Sequence, residues 1–169
     1  MPQVALQRSL SVPAVPARSA ASSIMHAIEE QRDDWHEFAL YLNFGSLGFP
    51  DVGYVAVPVK IEGVNEILDP RHEIRFTMRA LRGAEAFPTF NGAIGVDATG
   101  PSNAQLWLAG DYQVPAHGFG GIFDQTLAHG AAKKSLDNML NELADAIEAR
   151  VQQRERANAR YRLIFNTGD

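Results

Sequence analysis

The sequence predicts a single α+β domain in which an antiparallel sheet packs against one long C-terminal helix. The chain has 169 residues, 46% of them hydrophobic, which is enough apolar material for one core. Four consecutive segments between residues 54 and 113 have the pattern of strands, and the joins between them are short. A helical pattern follows. Strands that neighbour each other in sequence, followed by a helix, are typical of the α+β class.

The first element is predicted to be a strand at the N-terminus. Apolar residues alternate with polar or small ones from Val4 to Val12, and a period of two is typical of a half-buried strand. Arg8 interrupts the apolar face once, and Pro13 and Pro16 end the strand.

Two short helices are predicted between this strand and the next. The first runs from Ala17 and carries apolar residues at helical spacing, namely Ile24, Met25 and Ile28. The second begins at Asp34, which with Glu37 resembles a capping box. Its apolar face consists of Trp35, Phe38 and Leu42.

The predicted sheet continues with four further strands. They are Tyr54–Glu62, Glu73–Leu81, Thr89–Ala98 and Ala104–Gln113. Short connections favour antiparallel neighbours in a meander, and one polar and one apolar face per strand imply water on one side only. Residues 64–68 are open to two interpretations, as a separate strand or as part of two strands formed from residues 54–68, so we expect five to seven strands in all.

The long helix follows the glycine-rich segment Gly118–Gly121. Six of its apolar residues fall within an arc of roughly 80° at 100° per residue; they are Ile122, Ala132, Leu136, Leu140, Leu143 and Ile147, while Phe123 and Leu127 lie off this stripe. This stripe is expected to pack on the sheet. It fades after Val151, so we expect one domain over residues 1–153 and a flexible, basic, dispensable tail over residues 154–169.

Composition and charge exclude several function classes. The absence of cysteine rules out a disulfide scaffold, a thiolate zinc site and a cysteine nucleophile. A net charge of −5 disfavours nucleic-acid binding through a basic surface. No apolar segment approaches the ~18 residues that a membrane span needs, and the N-terminus does not have the pattern of a signal peptide. We therefore expect a cytoplasmic protein.

The order of elements and a group of residues near the end of the sheet resemble a known superfamily. The matching residues are Asp97–Gly100, Gln105–Tyr112, Pro115, Gly118, Gly121 and Asp124, followed by the long helix. They are similar to the START/polyketide cyclase superfamily, also called SRPBCC, whose helix-grip fold wraps a curved sheet around the long helix. Members of this superfamily often enclose an apolar cavity. The resemblance transfers no catalytic residue, because the superfamily shares a fold rather than one active-site motif.

The candidate site is the interface between the sheet and the long helix. His129 lies at the centre of the apolar stripe with Gln125 one turn before it, and Tyr112 lies on the inward face of the last strand. His129 is open to two interpretations, a hydrogen-bonded core histidine or a group that contacts a ligand. The predicted ligand-binding residues are Tyr112, Gln125, His129, Phe76, Met78, Phe90, Ile94 and Leu106.

Two functions from different classes fit this site. The first is non-enzymatic binding of a small hydrophobic or amphipathic molecule, including lipids. The alternative is a polyketide cyclase, aromatase or hydrolase-like enzyme with His129 and Tyr112 as its acid–base pair. A third interpretation is an interaction module whose cavity is collapsed.

Other motifs predict no cofactor and no metal. The segment Gly118–Gly121 lacks the third glycine of a dinucleotide fingerprint. The acidic group Glu29, Glu30, Asp33 and Asp34 lacks the spacing of a calcium loop. Trp107, on the outer face of the sheet beside Ala93 and Ala109, forms a candidate surface for a homodimer.

Overall fold

The computed structural model describes residues 3–30, 39–43, 54–68, 71–81, 89–113 and 125–165, without the side chains of residues 40–43, 54–55, 125–129, 131 and 161–165. Within these ranges the chain forms six strands and two helices. In chain order they are β1 (Gln3–Leu10), α1 (Ala14–Glu29), β2 (Ala39–Asn43), β3 (Tyr54–Ile67), β4 (Glu73–Ala80), β5 (Thr89–Ala98), β6 (Ala104–Gln113) and α2 (Gln125–Phe165).

All the strands belong to one sheet in the order β1-β6-β5-β4-β3-β2. Every pair is antiparallel, so β2 to β6 form a meander and β1 closes its far side. The strand number and the antiparallel order confirm the prediction. Helix α2 contacts both edge strands, β1 and β2, which requires the sheet to curve around it.

Strand β3 shows that both interpretations of residues 64–68 are wrong, because residues 54–67 form a single strand. It is one strand of 14 residues that contains a β-bulge. Glu62 pairs with Thr77 and Asn65 pairs with Arg75, so two residues of β3 oppose one residue of β4. Gly63 has a φ of 66°, a left-handed conformation that glycine adopts without steric cost.

Helix α1 begins earlier than predicted and covers the sheet. Pro13 is its N-cap residue, with extended backbone angles, and its carbonyl accepts a hydrogen bond from Ala17 N at 3.2 Å. The helix therefore starts at Ala14 rather than Ala17. Its buried face is apolar and consists mainly of small residues; its members are Ala14, Ala17, Ala20, Ala21, Ile24, Met25, Ala27 and Ile28.

The second short helix is not confirmed at its C-terminal end. Leu42, which we expected on the face of that helix, lies in strand β2, where it pairs with Val55. A spacing of three and four residues between apolar positions favours a helix, but pairing with β3 overrides that local preference at Leu42. The proposed start at Asp34, with Trp35 and Phe38, lies outside the described residues.

Helix α2 confirms the predicted stripe. Leu136, Leu140, Leu143 and Ile147 are all at most 5% exposed, and Ala132 is partly buried against the same core. Ile122 lies outside the described residues. Among the described side chains of α2 the last buried one is that of Val151, and those of residues 152–160 are exposed although the helix continues to Phe165. The division into a domain over residues 1–153 and a dispensable tail over residues 154–169 stays a prediction. Neither described helix is long and apolar enough to cross a membrane.

Candidate ligand-binding cavity

A small apolar cavity lies where α1, α2 and the concave face of the sheet meet. The described residues that line it are Met25, Ile28, Ile61, Phe76, Ile94, Met139, Glu142 and Leu143. The space open to the centre of a water molecule is about 10 Å³, which is about the space that one water occupies. A ligand larger than a few atoms therefore needs the cavity to widen.

The secondary structure determines which residues face this cavity. Met25 and Ile28 are three residues apart on α1 and share one face of the helix. On the sheet, Ile61, Phe76 and Ile94 belong to the alternating set of buried residues on three adjacent strands. We did not predict the contribution of α1, although the spacing of Met25 and Ile28 already indicated an apolar face.

Six of the predicted site residues are buried in the core. They are Phe76, Met78, Phe90, Ile94, Leu106 and Tyr112, each at most 4% exposed. Of these, Phe76 and Ile94 line the cavity. Gln125 and His129 belong to α2, and their side chains lie outside the described residues. Ligand contact by any of the eight stays a prediction.

Phe90 fills the interior near the other end of the sheet. Its ring lies over Gly92 and Gly110, where an added Cβ would stand 2.4 Å and 2.7 Å from ring carbons. The ring centroid is 5.8 Å from that of Phe76 at a tilt of 47°, a favourable aromatic arrangement. Glycine at these two paired positions therefore lets Phe90 lie close to the backbone. A larger side chain would push the ring into the space under α2.

Tyr112 lies beside Phe90 on the neighbouring strand and is 2% exposed. Burial raises the pKa of its phenol above the ordinary value, because an apolar environment disfavours the phenolate. Tyr112 is therefore protonated at neutral pH, and its side chain can donate a hydrogen bond but cannot act as a base. Its hydroxyl is not isolated, since Tyr112 makes an interaction within the structure.

Solved structures share this architecture. Norcoclaurine synthase from Thalictrum flavum, crystallised with dopamine and hydroxybenzaldehyde, is 11% identical, with a TM-score of 0.53 over 90% of this chain and 87% of that one. A conserved protein from Geobacillus kaustophilus is 15% identical, with a TM-score of 0.52 over 90% of this chain and 96% of that one. The protein has a helix-grip fold, as its resemblance in sequence to the START/polyketide cyclase superfamily implied. No protein-family model and no curated protein sequence matches the chain.

A polar cluster lies next to the helix-grip cavity, at the C-terminal end of α1. His26 Nδ1 is 3.7 Å from Glu29 and His26 Nε2 is 3.9 Å from Glu66. His72 Nε2 is 3.9 Å from the other oxygen of Glu66, and the hydroxyl of Ser22 donates a hydrogen bond to Glu66. The sequence analysis missed this cluster, because the bulge in β3 is what turns Glu66 toward α1. Within the part of the chain that the structure describes, no group of three or more such side chains is arranged to hold a metal ion.

The outer face of the helix-grip sheet carries the predicted Trp107 patch. Trp107 pairs with Gly95, and Ala93 pairs with Ala109. The indole lies over Gly95, where an added Cβ would stand 2.3 Å from the ring. A shallow groove of about 470 Å³ runs past these residues toward Arg75. The homodimer through this patch stays a prediction.

Proposed function

We propose that this protein binds a small hydrophobic or amphipathic molecule, including lipids, between its sheet and helix α2. The observation that supports this most directly is the cavity under α2. Among the described residues its lining is apolar except for Glu142, and it lies beneath the long helix where three elements meet. Ligand sites are typically apolar cavities with few polar groups, and the lining has this composition.

Such binding requires the cavity to widen. Met25 and Met139 stand on opposite walls, one from each helix. Methionine has an unbranched side chain with three rotatable bonds, so it adapts to the shape of its neighbours. Movement of these two side chains would enlarge the cavity without breaking a hydrogen bond. The alternative of an interaction module with a collapsed cavity predicts that no small molecule enters.

A neutral fluorophore tests this proposal. N-phenyl-1-naphthylamine fluoresces strongly in an apolar environment, so its titration reports entry into the cavity. Met139→Phe adds a rigid ring on the cavity wall and should weaken binding about tenfold, because overpacking removes the space. Leu68→Phe adds the same ring at a position that is 71% exposed and should bind like the wild type. Equal affinity in all three proteins would place the fluorophore elsewhere and contradict the proposal.

The enzymatic alternative has one specific observation in its favour, the buried and protonated Tyr112. A phenol held neutral can donate a proton or a hydrogen bond to a reacting carbonyl. In this alternative His129 supplies the base, and the reaction is of the cyclase, aromatase or hydrolase type. Tyr112→Phe should then abolish turnover of a bound polyketide-like substrate while leaving ligand affinity within about fivefold, since a lost neutral hydrogen bond costs ~1 kcal/mol.

Substitution of His129 distinguishes a ligand-contact role of this residue from a structural role. His129→Leu should lower affinity for the fluorophore or a natural ligand and leave the free energy of unfolding unchanged or improved. If His129→Leu unfolds and the wild type binds no probe, His129 is a structural residue of the core and not a ligand contact.

We also infer a cytoplasmic location and no nucleic-acid partner, on the grounds given above.

A further inference from the structure

Glu142 is the feature of the cavity that packing does not explain. Among the described residues that line the cavity it is the only charged one, and the others are aliphatic, aromatic or methionine side chains. It lies between the buried residues Met139 and Leu143 on α2, yet it is itself exposed. The aliphatic part of Glu142 therefore borders the cavity, and its carboxylate stands where the cavity approaches solvent.

The carboxylate of Glu142 makes no ion pair with another described residue. The arginine that β1 directs toward α2, Arg8, is already bound to Asp137 and Asn141, which lie on the opposite flank of the helix. On the α1 side of the cavity the charged groups are mainly acidic. Glu29 accepts a hydrogen bond from Val64 N at 3.0 Å.

The net charge of the whole domain is negative, like that of the Glu142 carboxylate. The net charge of the chain is −5 and residues 150–169 carry five arginines against Glu155 and Asp169, so residues 1–149 carry −8. A negative domain raises the local concentration of cations and lowers that of anions at its surface. The carboxylate of Glu142 adds a negative charge at the mouth of the apolar cavity, where it further favours cations over anions.

We propose that the ligand is an amphipathic cation, a protonated amine with an apolar body. The body occupies the space among Phe76, Met25 and Met139, and the ammonium group pairs with Glu142 at the mouth. This inference rests on the proposed ligand-binding function and adds the chemical class of the ligand. Anionic amphiphiles, fatty acids included, are disfavoured at this mouth because their head group would meet a carboxylate.

The size of the preference follows from the exposure of Glu142. An exposed ion pair is weak, while a charge-assisted hydrogen bond in a partly desolvated site is stronger. We expect an amine to bind about five- to tenfold more tightly than an alcohol of the same chain length. The preference should shrink as salt is raised, since mobile ions screen exposed charges.

Three probes that share one chain measure this directly. Decylamine, decanol and decanoate compete with N-phenyl-1-naphthylamine at pH 7, where the amine is a cation like the lysine side chain. The test variant is Glu142→Gln, which keeps the shape of the side chain and removes its charge. The matched control is Glu155→Gln, which changes the net charge equally at an exposed position further along α2, more than three helical turns from Glu142.

The expected order of affinity in the wild type and in Glu155→Gln is decylamine, then decanol, then decanoate. In Glu142→Gln, decylamine and decanol should bind with equal affinity. Displacement by decylamine and decanol alike in the wild type, or an amine preference that survives in Glu142→Gln, would overturn the amine inference and leave the cavity proposal intact. If none of the three probes displaces the fluorophore from the wild-type protein, both the amine inference and the cavity proposal are overturned.

Discussion

The two flanks of helix α2 are attached to the rest of the protein in different ways. On one flank, Arg8 of β1 reaches across to Asp137 and Asn141, and Glu148 accepts a hydrogen bond from Ser11 N at 2.5 Å. At 100° per residue these helix residues lie roughly 60–100° to one side of Leu140. On the other flank, Met139 and Glu142 lie roughly 100–160° to the opposite side and face the cavity.

This difference indicates which side of α2 can adjust its packing to a ligand. The flank toward β1 is fixed by directional polar contacts, which lose energy when the geometry changes. The flank toward α1 is held by apolar contacts, which are not directional, and two methionines face each other there. A ligand that needs space is therefore accommodated on the second flank, while the first keeps the helix in register.

The largest expected effect belongs to the residue between the two flanks. Leu140 is fully buried, and Leu140→Ala should destabilise the protein by ~2–5 kcal/mol, since it removes apolar contacts and leaves a cavity. Denaturant melts of the wild type and the variant measure the difference. A loss below ~0.5 kcal/mol would show that α2 is not docked through this stripe.

The second-largest effect is expected on the flank of α2 toward β1, which polar contacts hold. Arg8→Ala should cost ~1–2 kcal/mol, because it leaves Asp137 and Asn141 without their partner and removes the packed aliphatic stem. Arg79→Ala is the control, since Arg79 pairs with Glu62 at 2.8 Å but is 52% exposed, and it should cost below ~0.5 kcal/mol. Equal losses in the two variants would mean that the contacts of Arg8 do not fix the helix.

A smaller effect is expected on the apolar flank. Met139→Leu conserves volume in a site that already adapts, so the free energy of unfolding should change by less than ~1 kcal/mol. Binding of N-phenyl-1-naphthylamine should weaken in the same variant, because leucine is branched and less adaptable. Thermal melts and fluorescence titration give the two readouts. A large loss of stability would indicate that this flank is as tightly packed as the other.

The smallest effect is expected beyond both flanks. Truncation after Gln153 removes the exposed side chains of residues 154–160 and, among the described residues, one hydrogen bond, from Arg154 to Ser19 at 3.1 Å. The melting temperature should fall by no more than about two degrees, because little buried surface is lost. A larger fall would show that the segment from Tyr161 to Phe165 is docked.

The sequence patterns were sufficient for the sheet and the helix stripe. The bounds of β5 and β6 agree with the alternation of apolar residues. Gly95 in β5 departs from the period of two, because the Trp107 ring covers it on the outer face. The pattern misled us at Leu42, where pairing with the next strand, β3, decides the structure. It also could not reveal the partners of Arg8, which stand 129 and 133 residues away in the chain.

The candidate site was only partly predictable, for a related reason. The alternation within β4 and β5 is enough to turn Phe76 and Ile94 inward. The opposite wall, with Met25 and Ile28, depends on where α1 lies across the sheet. The position of α1 follows from long-range packing, and local periodicity carries no information about it. Glu142 was overlooked because an exposed glutamate on a helix is ordinarily a solvated residue.

Native mass spectrometry of the protein purified from its own host tests the central claim, that the cavity beneath α2 holds a small molecule. The account predicts an additional mass on the wild-type protein that collisional activation removes, that is reduced in Met139→Phe and that is retained in Leu68→Phe. An amphipathic amine as the released species would agree with the role of Glu142. A wild-type protein that carries no additional mass, and that neither the fluorophore nor the alkyl probes enter, would contradict the claim.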